Sequence, residues 1–162
     1  MKRLISLFAA ACLLLSLTGC SFFSSPIQNP VKFYYQREEY VYGQPDGVIS
    51  FEERDGTSHI KDIAYLLRLY LMGPHDEELV SPFPPGLLIT AIRRGTGTLI
   101  LTLTDALSSV SEAQQTVACA CLALTGMDIT GHDTVILIWT DEMVTMTRDT
   151  LTLYDAGALQ PQ

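Results

Sequence analysis

Apolar residues recur at the spacing of one helical face between Ile60 and Met72. The residues of this apolar face are Ile60, Ile63, Ala64, Leu66, Leu67, Tyr70 and Leu71. Thr57 or Ser58 is predicted to cap the N-terminus of the helix. Gly73 can close it in the left-handed conformation, and Pro74 cannot continue it because it has no amide hydrogen. The pattern therefore predicts an amphipathic helix that packs against another layer.

A second group of special residues follows an acidic run at 76–78. It consists of Ser81, Pro84, Pro85 and Gly86, which precede the apolar segment 87–93. Prolines restrict the residues before them to extended conformations. This segment is therefore predicted to approach the next strand as an extended loop.

Alternating or continuous apolar residues predict the strands of the chain. The predicted strands are 31–35, 48–54, 87–93, 98–104 and 134–140, with edge strands at 144–146 and 150–154. The loop 94–97 contains two glycines and suits a hairpin between the third and fourth strands. The strand 134–140 is apolar throughout its middle, which is typical of a central position in a sheet.

A second helix is predicted from a capping-box pattern, Ser109 followed three residues later by Glu112. Its predicted buried face consists of Val110, Ala113, Val117, Cys121 and Leu124, and Gly126 is predicted to close it. The order of elements predicts an α+β fold: a single domain with a mixed β-sheet and two helices packed on one face. The domain is expected to span residues 31–155, followed by a frayed tail at 156–162.

The N-terminus has the pattern of a targeting segment. Lys2 and Arg3 precede an apolar run at 4–17, and small residues then lead to Cys20. This arrangement resembles a bacterial lipoprotein signal, with a signal peptide at 1–19 and Cys20 as the lipidated first residue of the mature protein. The alternatives are an ordinary secretory signal or a transmembrane helix, although the run is shorter than the ~20 residues that a span needs.

Two acyl chains on Cys20 would hold the protein stably on a membrane. Residues 20–30 show no periodicity and are predicted to form a short tether, which keeps the domain near the outer face of the cell membrane. Of the 162 residues, removing 1–19 leaves 143 with 8 basic and 18 acidic side chains, a net charge of −10. An excess of acid repels nucleic acid and anionic lipid, so neither is expected to bind the domain directly.

The remaining cysteines and the histidines have no spacing that indicates a redox or metal site. Cys119 and Cys121 lie two apart on a predicted helix, where their side chains point about 200° apart, so we expect packing residues and no bridge. The histidines are scattered and lack the His-Glu-x-x-His pattern; they are His59, His75 and His132. The acidic run at 76–78 lacks the spacing of a calcium loop, so no metal or cofactor is expected.

No pattern for catalysis is found in the chain either. There is no Gly-x-Ser-x-Gly elbow and no phosphate-binding glycine loop. Glu52 and Glu53 are neighbours on a predicted strand and would point to opposite faces, so they cannot act as a facing acid and base. The sequence therefore favours a protein that is not an enzyme.

The sequence motifs in and after the first predicted helix resemble those of a known family. Leu66-Leu67, Leu71-Met72-Gly73-Pro74, Ser81 and Pro84-Pro85-Gly86 before a Leu-Leu strand resemble the GerM domain of sporulation and spore-germination proteins. The resemblance extends from about Lys32 to Trp139. It implies a lipid-anchored, non-catalytic envelope protein whose partners are other envelope or spore-assembly proteins.

Two alternatives to an assembly function remain open at this stage. The first is an extracytoplasmic lipoprotein that binds a small molecule or a cell-wall fragment, with Tyr34, Tyr35, Tyr40 and Tyr42 lining the site. The second is a hydrolase built from residues that carry no local pattern. For the assembly function, an exposed strand edge is a candidate contact surface.

Overall fold

The computed structural model of the chain describes residues 27–40, 47–59 and 61–151. The strands are β1 (Pro30–Arg37), β2 (Ile49–Asp55), β3 (Leu79–Val80), β4 (Ile89–Arg94), β5 (Thr98–Leu103), β6 (Thr134–Trp139) and β7 (Glu142–Thr147). The α-helices are α1 (Ile63–Leu71) and α2 (Glu112–Thr130), and short 3₁₀ helices occupy Asp105–Ser109 and Arg148–Thr150. The predicted signal peptide, Cys20, Tyr42 and the predicted tail at 156–162 lie outside the described residues.

The α+β class predicted from the sequence is confirmed. The strands form two sheets: an antiparallel sheet in the order β2-β1-β3, and a mixed sheet in the order β4-β5-β6-β7. In the mixed sheet β5 and β6 run parallel, and β6 has the predicted interior position. Side chains from both sheets and both helices share one hydrophobic core, so the described chain is a single domain.

Helix α2 connects the two parallel strands and packs against both sheets. It contacts β1 of the antiparallel sheet and β5, β6 and β7 of the mixed sheet. Every residue from 118 to 127 is buried, so the helix has no solvated face along this half. A helix that is apolar on all sides is expected in such an enclosed position. The prediction of two helices on one sheet face is therefore replaced by a helix lying between two sheets.

The predicted end of α2 at Gly126 was wrong, because the helix continues to Thr130. Gly131 caps it instead, with φ of +69° and its N–H donating to the Met127 carbonyl at 2.8 Å. Gly126 has a packing role: a Cβ atom built on it would lie 2.8 Å from Leu99 Cδ2 on β5. The absence of a side chain there lets α2 approach the mixed sheet closely.

The predicted helix starts were also displaced. Ser111, two residues later than predicted, caps α2, and its hydroxyl accepts a hydrogen bond from the Gln114 N–H. The predicted Ser109 and Val110 end the 3₁₀ helix instead. For α1 the cap is Asp62, whose carboxylate accepts from the Tyr65 N–H at 2.9 Å. An Asp adjoining the helix competes well with more distant Thr and Ser residues, because capping needs the oxygen two or three residues before its donor.

The buried face of α1 is narrower than the predicted one. Leu66, Leu67 and Tyr70 are buried, whereas Ala64 is exposed and Ile63 is half-buried. The helix ends near its predicted position, with Gly73 at φ +101° just after it. Neither α-helix of the described residues is long and apolar enough to span a bilayer.

One edge of β1 is closed by side chains. Strand β2 pairs along β1, but β3 reaches only Gln36 and Arg37 on the other side. On the unpaired side of β1, the Tyr34 N–H donates a hydrogen bond to Oγ1 of Thr125 in α2 at 3.0 Å. The Tyr70 hydroxyl donates to the Tyr34 carbonyl at 2.6 Å. Thr125 is completely buried and joins α2 to the edge of the antiparallel sheet.

Replacing Thr125 with Val should destabilise the fold, because the Tyr34 N–H would stay buried without an acceptor. We expect the free energy of unfolding to fall by about 1–3 kcal/mol. The matched control is Thr116→Val on the exposed side of α2, where the hydroxyl bonds only the Glu112 carbonyl of its own helix. Urea unfolding followed by circular dichroism measures both. Equal losses for the two variants would contradict this role of Thr125.

Candidate functional site

The turn after α1 is held by Glu52 of β2. One carboxylate oxygen, Oε2, accepts hydrogen bonds from the His75 and Asp76 N–H groups, each at 2.9 Å. The Gly73 N–H donates to the Tyr70 carbonyl at 3.1 Å. Pro74 needs no donor partner because it has no N–H. The predicted motif residues Gly73 and Pro74 therefore form a fixed backbone turn, and they present no reactive side chain.

Arg54 completes this arrangement from the same strand. Its guanidinium forms an ion pair with Glu52, donates to the Gly73 carbonyl at 2.6 Å and lies over the Phe33 ring, 5.0 Å from its centroid. The side chains of Arg54 and Glu52 are only 10% and 9% exposed. Residues two apart on a strand share a face, so the spacing of these opposite charges could have indicated the pair. Nothing in the sequence pattern indicates that the pair binds the turn after α1.

The second group of motif residues forms a turn, contrary to the predicted extended loop. The Leu87 N–H donates to the Pro84 carbonyl at 3.2 Å, with Pro85 and Gly86 in the middle. Gly86 has φ of +85°, which is the geometry of a type II turn with Pro and Gly at its central positions. The Gly86 carbonyl accepts from the Thr104 hydroxyl at 2.9 Å, which attaches the turn to the end of β5.

Ser81 and Pro84 have different surroundings. Ser81 is exposed, and its hydroxyl accepts from the Phe83 N–H at 3.4 Å, a local contact within the loop. Pro84 is buried, whereas Pro85 is exposed. Five of the six motif residues thus lie in two turns between α1 and β4, where they set the backbone conformation, and Ser81 lies in the loop between these turns.

Two of the three described tyrosines that were predicted to line a ligand site lie inside the protein. Tyr34 and Tyr35 are 6% and 0% exposed. The Tyr35 hydroxyl donates to the Tyr70 carbonyl at 2.8 Å, and the Tyr34 hydroxyl donates to Asp128 at 2.9 Å. Tyr40 lies at a shallow depression beside the start of α2. The prediction that Tyr34 and Tyr35 line an open site was therefore wrong, because their side chains fill the core and satisfy buried polar groups.

Burial raises the pKa of several groups in this core. Desolvation is the main cause for Tyr35 and Tyr70, whose hydroxyl pKa values lie well above 10.0. For Tyr34 the hydrogen bond to Asp128 raises the pKa further. These phenols therefore stay protonated and act as hydrogen-bond donors.

The two described cysteines pack in the interior, as predicted. Cys119 and Cys121 are buried and free, at 2% and 0% exposure. Burial raises the pKa of Cys119 to about 11 and that of Cys121 further. Thiols kept protonated in this way are poor nucleophiles and poor metal ligands.

The three histidines differ in exposure: His59 and His75 are exposed, whereas His132 is half-buried. His59 stacks on Tyr65 with ring centroids 3.7 Å apart, and His75 is exposed next to the turn described above. An open depression is lined by Arg37, Glu38, Glu39, Glu77 and Glu78. In residues 27–40, 47–59 and 61–151, no group of three or more His, Cys, Asp or Glu residues is arranged to hold a metal ion.

Comparisons with known proteins give a distant structural likeness and no family. A scan against models of protein families and a search of curated proteins both find no match. A solved structure of a candidate lipoprotein from Clostridium perfringens is similar at 13% identity and a TM-score of 0.46, covering 75% of this chain and 89% of that one. The resemblance to the GerM domain therefore stays a prediction.

The Pro85-Gly86 turn offers a direct test of its conformational role. Gly86→Ala places a Cβ atom at a positive φ and should lower the free energy of unfolding by about 1–2 kcal/mol. Gly95→Ala is the control, because Gly95 lacks a positive φ and a Cβ there would meet the Thr98 carbonyl only at 3.9 Å. Thermal unfolding measures both. A Gly86→Ala variant as stable as Gly95→Ala would argue against the assigned turn.

The raised pKa values predict alkaline sensitivity. The folded state keeps its protons on Tyr34, Tyr35, Tyr70 and the cysteines, whereas the unfolded state releases them near the ordinary pKa values of 9.0 for Cys and 10.0 for Tyr. The free energy of unfolding should therefore fall as pH rises above about 9. Urea unfolding at pH 7 to 11 measures the slope.

Variants separate this cause from general alkaline damage. Tyr35→Phe should reduce the slope of stability against pH, even though it weakens the fold at neutral pH by removing a hydrogen bond. Tyr65→Phe, at a ring that is 37% exposed, should leave the slope unchanged. Identical slopes in all three proteins would show that buried phenols do not cause the loss.

Proposed function

We propose that the chain is a lipid-anchored, non-catalytic envelope protein with a GerM-like domain that mediates protein–protein assembly in sporulation or spore germination. The proposal rests on the lipoprotein signal pattern that ends at Cys20, together with the GerM-like motif residues between Leu66 and Gly86. In the proposed arrangement Cys20 carries the lipid, and the domain lies close to the outer face of the cell membrane.

The geometry of the motif residues supports an assembly function over a catalytic one. Gly73, Pro74, Pro85 and Gly86 set the backbone of two turns, as described above. The ion pair of Glu52 and Arg54 is engaged with the first turn and is nearly buried. The hydrogen bonds from this pair to the turn stabilise a shape, and a defined shape is what a binding partner recognises.

Two of the tyrosines predicted to line a small-molecule site are not accessible to a ligand. Tyr34 and Tyr35 are buried and their hydroxyls have partners in the protein. The two depressions named above are lined mostly by polar or charged side chains. Sites for small molecules are usually concave and mostly apolar. We therefore favour a protein partner over a small molecule.

The test is a pull-down from membranes of the native host with a tagged full-length chain, during growth and during sporulation. Cys20→Ala is the control, because it removes the lipid and leaves the domain unchanged. We expect the chain with Cys20 to fractionate with membranes and to recover envelope proteins in sporulating cells, and the Cys20→Ala chain to lose most of them.

Three results would contradict the proposal. Equal recovery of partners in growing and sporulating cells would remove the link to sporulation. Recovery of a sugar or peptide without any protein partner would favour the ligand-binding function instead. Membrane fractionation that is identical for both chains would show that Cys20 is not the anchor.

A further inference from the structure

The direction of α2 defines two ends of the described domain. Thr125 and Asp128 near the C-terminus of α2 contact Tyr34 in the middle of β1, whereas residues near its N-terminus lie beside Gln36. Helix α2 therefore runs antiparallel to β1, and also to β5 and β6, because it connects the end of β5 to the start of β6. The tether end consists of Asn29 and the segments 55–59, 94–98 and 131–134. The distal end consists of the segments 37–39, 77–79, 105–112 and 140–142.

Negative charge is concentrated at the distal end. Eight acidic residues lie there with one basic residue, Arg37, and all eight are exposed. These acidic residues are Glu38, Glu39, Glu77, Glu78, Asp105, Glu112, Asp141 and Glu142. The rest of the described chain has eight acidic and seven basic residues, so its charges nearly balance. Almost all of the net negative charge of the described residues is therefore found at one end of the domain.

The chain that leads from Cys20 reaches the domain at the opposite end. The Asn29 carbonyl accepts from the Gly56 N–H at 2.9 Å, and the Asn29 side-chain amide donates to the Thr57 hydroxyl at 3.2 Å. Both contacts lie just before β1, which begins at Pro30 beside the end of β2. The predicted tether therefore joins the domain at the end whose charges are balanced.

The tether is short compared with the domain. Asn29 lies nine residues after Cys20, and a flexible chain of this length has a root-mean-square end-to-end distance of about 15–18 Å. Helix α2 has 19 residues and is about 28 Å long, and it runs from one end of the domain to the other. With a lipid on Cys20, the distal end would reach the bilayer only with the tether almost fully extended, at about 30 Å.

The tether end presents mixed charges to a lipid surface. Arg93 and Arg94 are exposed at the end of β4. Arg148 forms ion pairs with Asp128 and Asp133. Since neither sign dominates, anionic headgroups repel this end far less than they repel the distal end.

We infer that the tether end of the domain lies against the membrane surface and that the acidic distal end points away from it. This orientation rests on the proposed lipid at Cys20. The potential of an anionic lipid surface is screened over about 10 Å at 0.1 M salt, so it repels the distal end whenever the domain tilts toward the bilayer. The lipid supplies the attachment, and the charge distribution sets the orientation.

Fluorescent labels at the two ends of the mixed sheet test this orientation. Thr96→Cys in the β4–β5 loop and Asp141→Cys in the β6–β7 turn are exposed positions, whereas Cys119 and Cys121 are buried. Each variant of the full chain is purified from membranes with its lipid, labelled, and placed in vesicles of phosphatidylcholine and phosphatidylglycerol. A nitroxide on the lipid headgroups quenches nearby labels. We expect at least about threefold stronger quenching at 96 than at 141, since six-residue strands separate the labels by roughly 20 Å.

Two sets of charge variants separate the effect of charge from that of the tether. The distal set is Glu39→Gln, Glu77→Gln and Glu78→Gln, and the control set is Glu53→Gln, Asp133→Asn and Asp149→Asn, all at exposed residues. Both sets change the net charge equally. We expect the distal set to raise quenching of the label at 141 about twofold and the control set not to raise it. In 1 M NaCl, where screening shortens to about 3 Å, this difference should disappear.

Three results would overturn the inference. Equal quenching at 96 and 141 on vesicles that bind the chain would reject the orientation while leaving the lipid anchor intact, and stronger quenching at 141 would place the acidic end on the bilayer. Equal responses to the two charge sets would remove the role of the distal charges. A chain that carries no lipid and stays off the vesicles would instead refute the proposed anchor at Cys20, and the inference with it.

Discussion

The fold depends on how the open edge of β1 is closed. A buried strand cannot leave its N–H and C=O groups without partners, because each unpaired group costs free energy. At Tyr34 these partners are Thr125 of α2 and Tyr70 of α1, so the two helices complete the hydrogen bonding of the antiparallel sheet. The same tyrosine reaches Asp128 through its own hydroxyl. One residue thus fixes the position of both helices against the first sheet.

The opposite side of α2 meets a different constraint, because it must also pack on the mixed sheet. There the contact is close, and Gly126 faces Leu99 and Val135 without a side chain of its own. A helix enclosed on both sides needs small and apolar residues around its whole circumference, which explains the Ala and Cys residues of its central part. Glycine at this position disfavours the helix by about 1 kcal/mol relative to alanine, because the glycine backbone is more flexible in the unfolded chain. The close packing compensates for it.

The sequence predicted local elements better than their arrangement. Alternation identified β1, and the continuous apolar run identified β6 as a central strand, because both patterns are set by nearest neighbours. The enclosed position of α2 was missed because a search for one apolar face selects Val117, Cys121 and Leu124 and leaves Ala120 and Leu122 unexplained, although both are buried. The side-chain closure of β1 was beyond prediction, since Tyr34 and Thr125 are 91 residues apart. Pattern rules contain no information at that separation.

The glycine and proline motif residues can affect function only through the backbone shape that they set. Glycine and proline at 73, 74, 85 and 86 supply no chemistry, but they fix where the chain leaves α1 and where it enters β4. The nearly buried pair of Glu52 and Arg54 then attaches the first of these turns to the antiparallel sheet, while Thr104 attaches the second to the mixed sheet. The connection between α1 and β4 is therefore anchored to both sheets. This segment therefore joins the two sheets by hydrogen bonds, in addition to the hydrophobic core that they share.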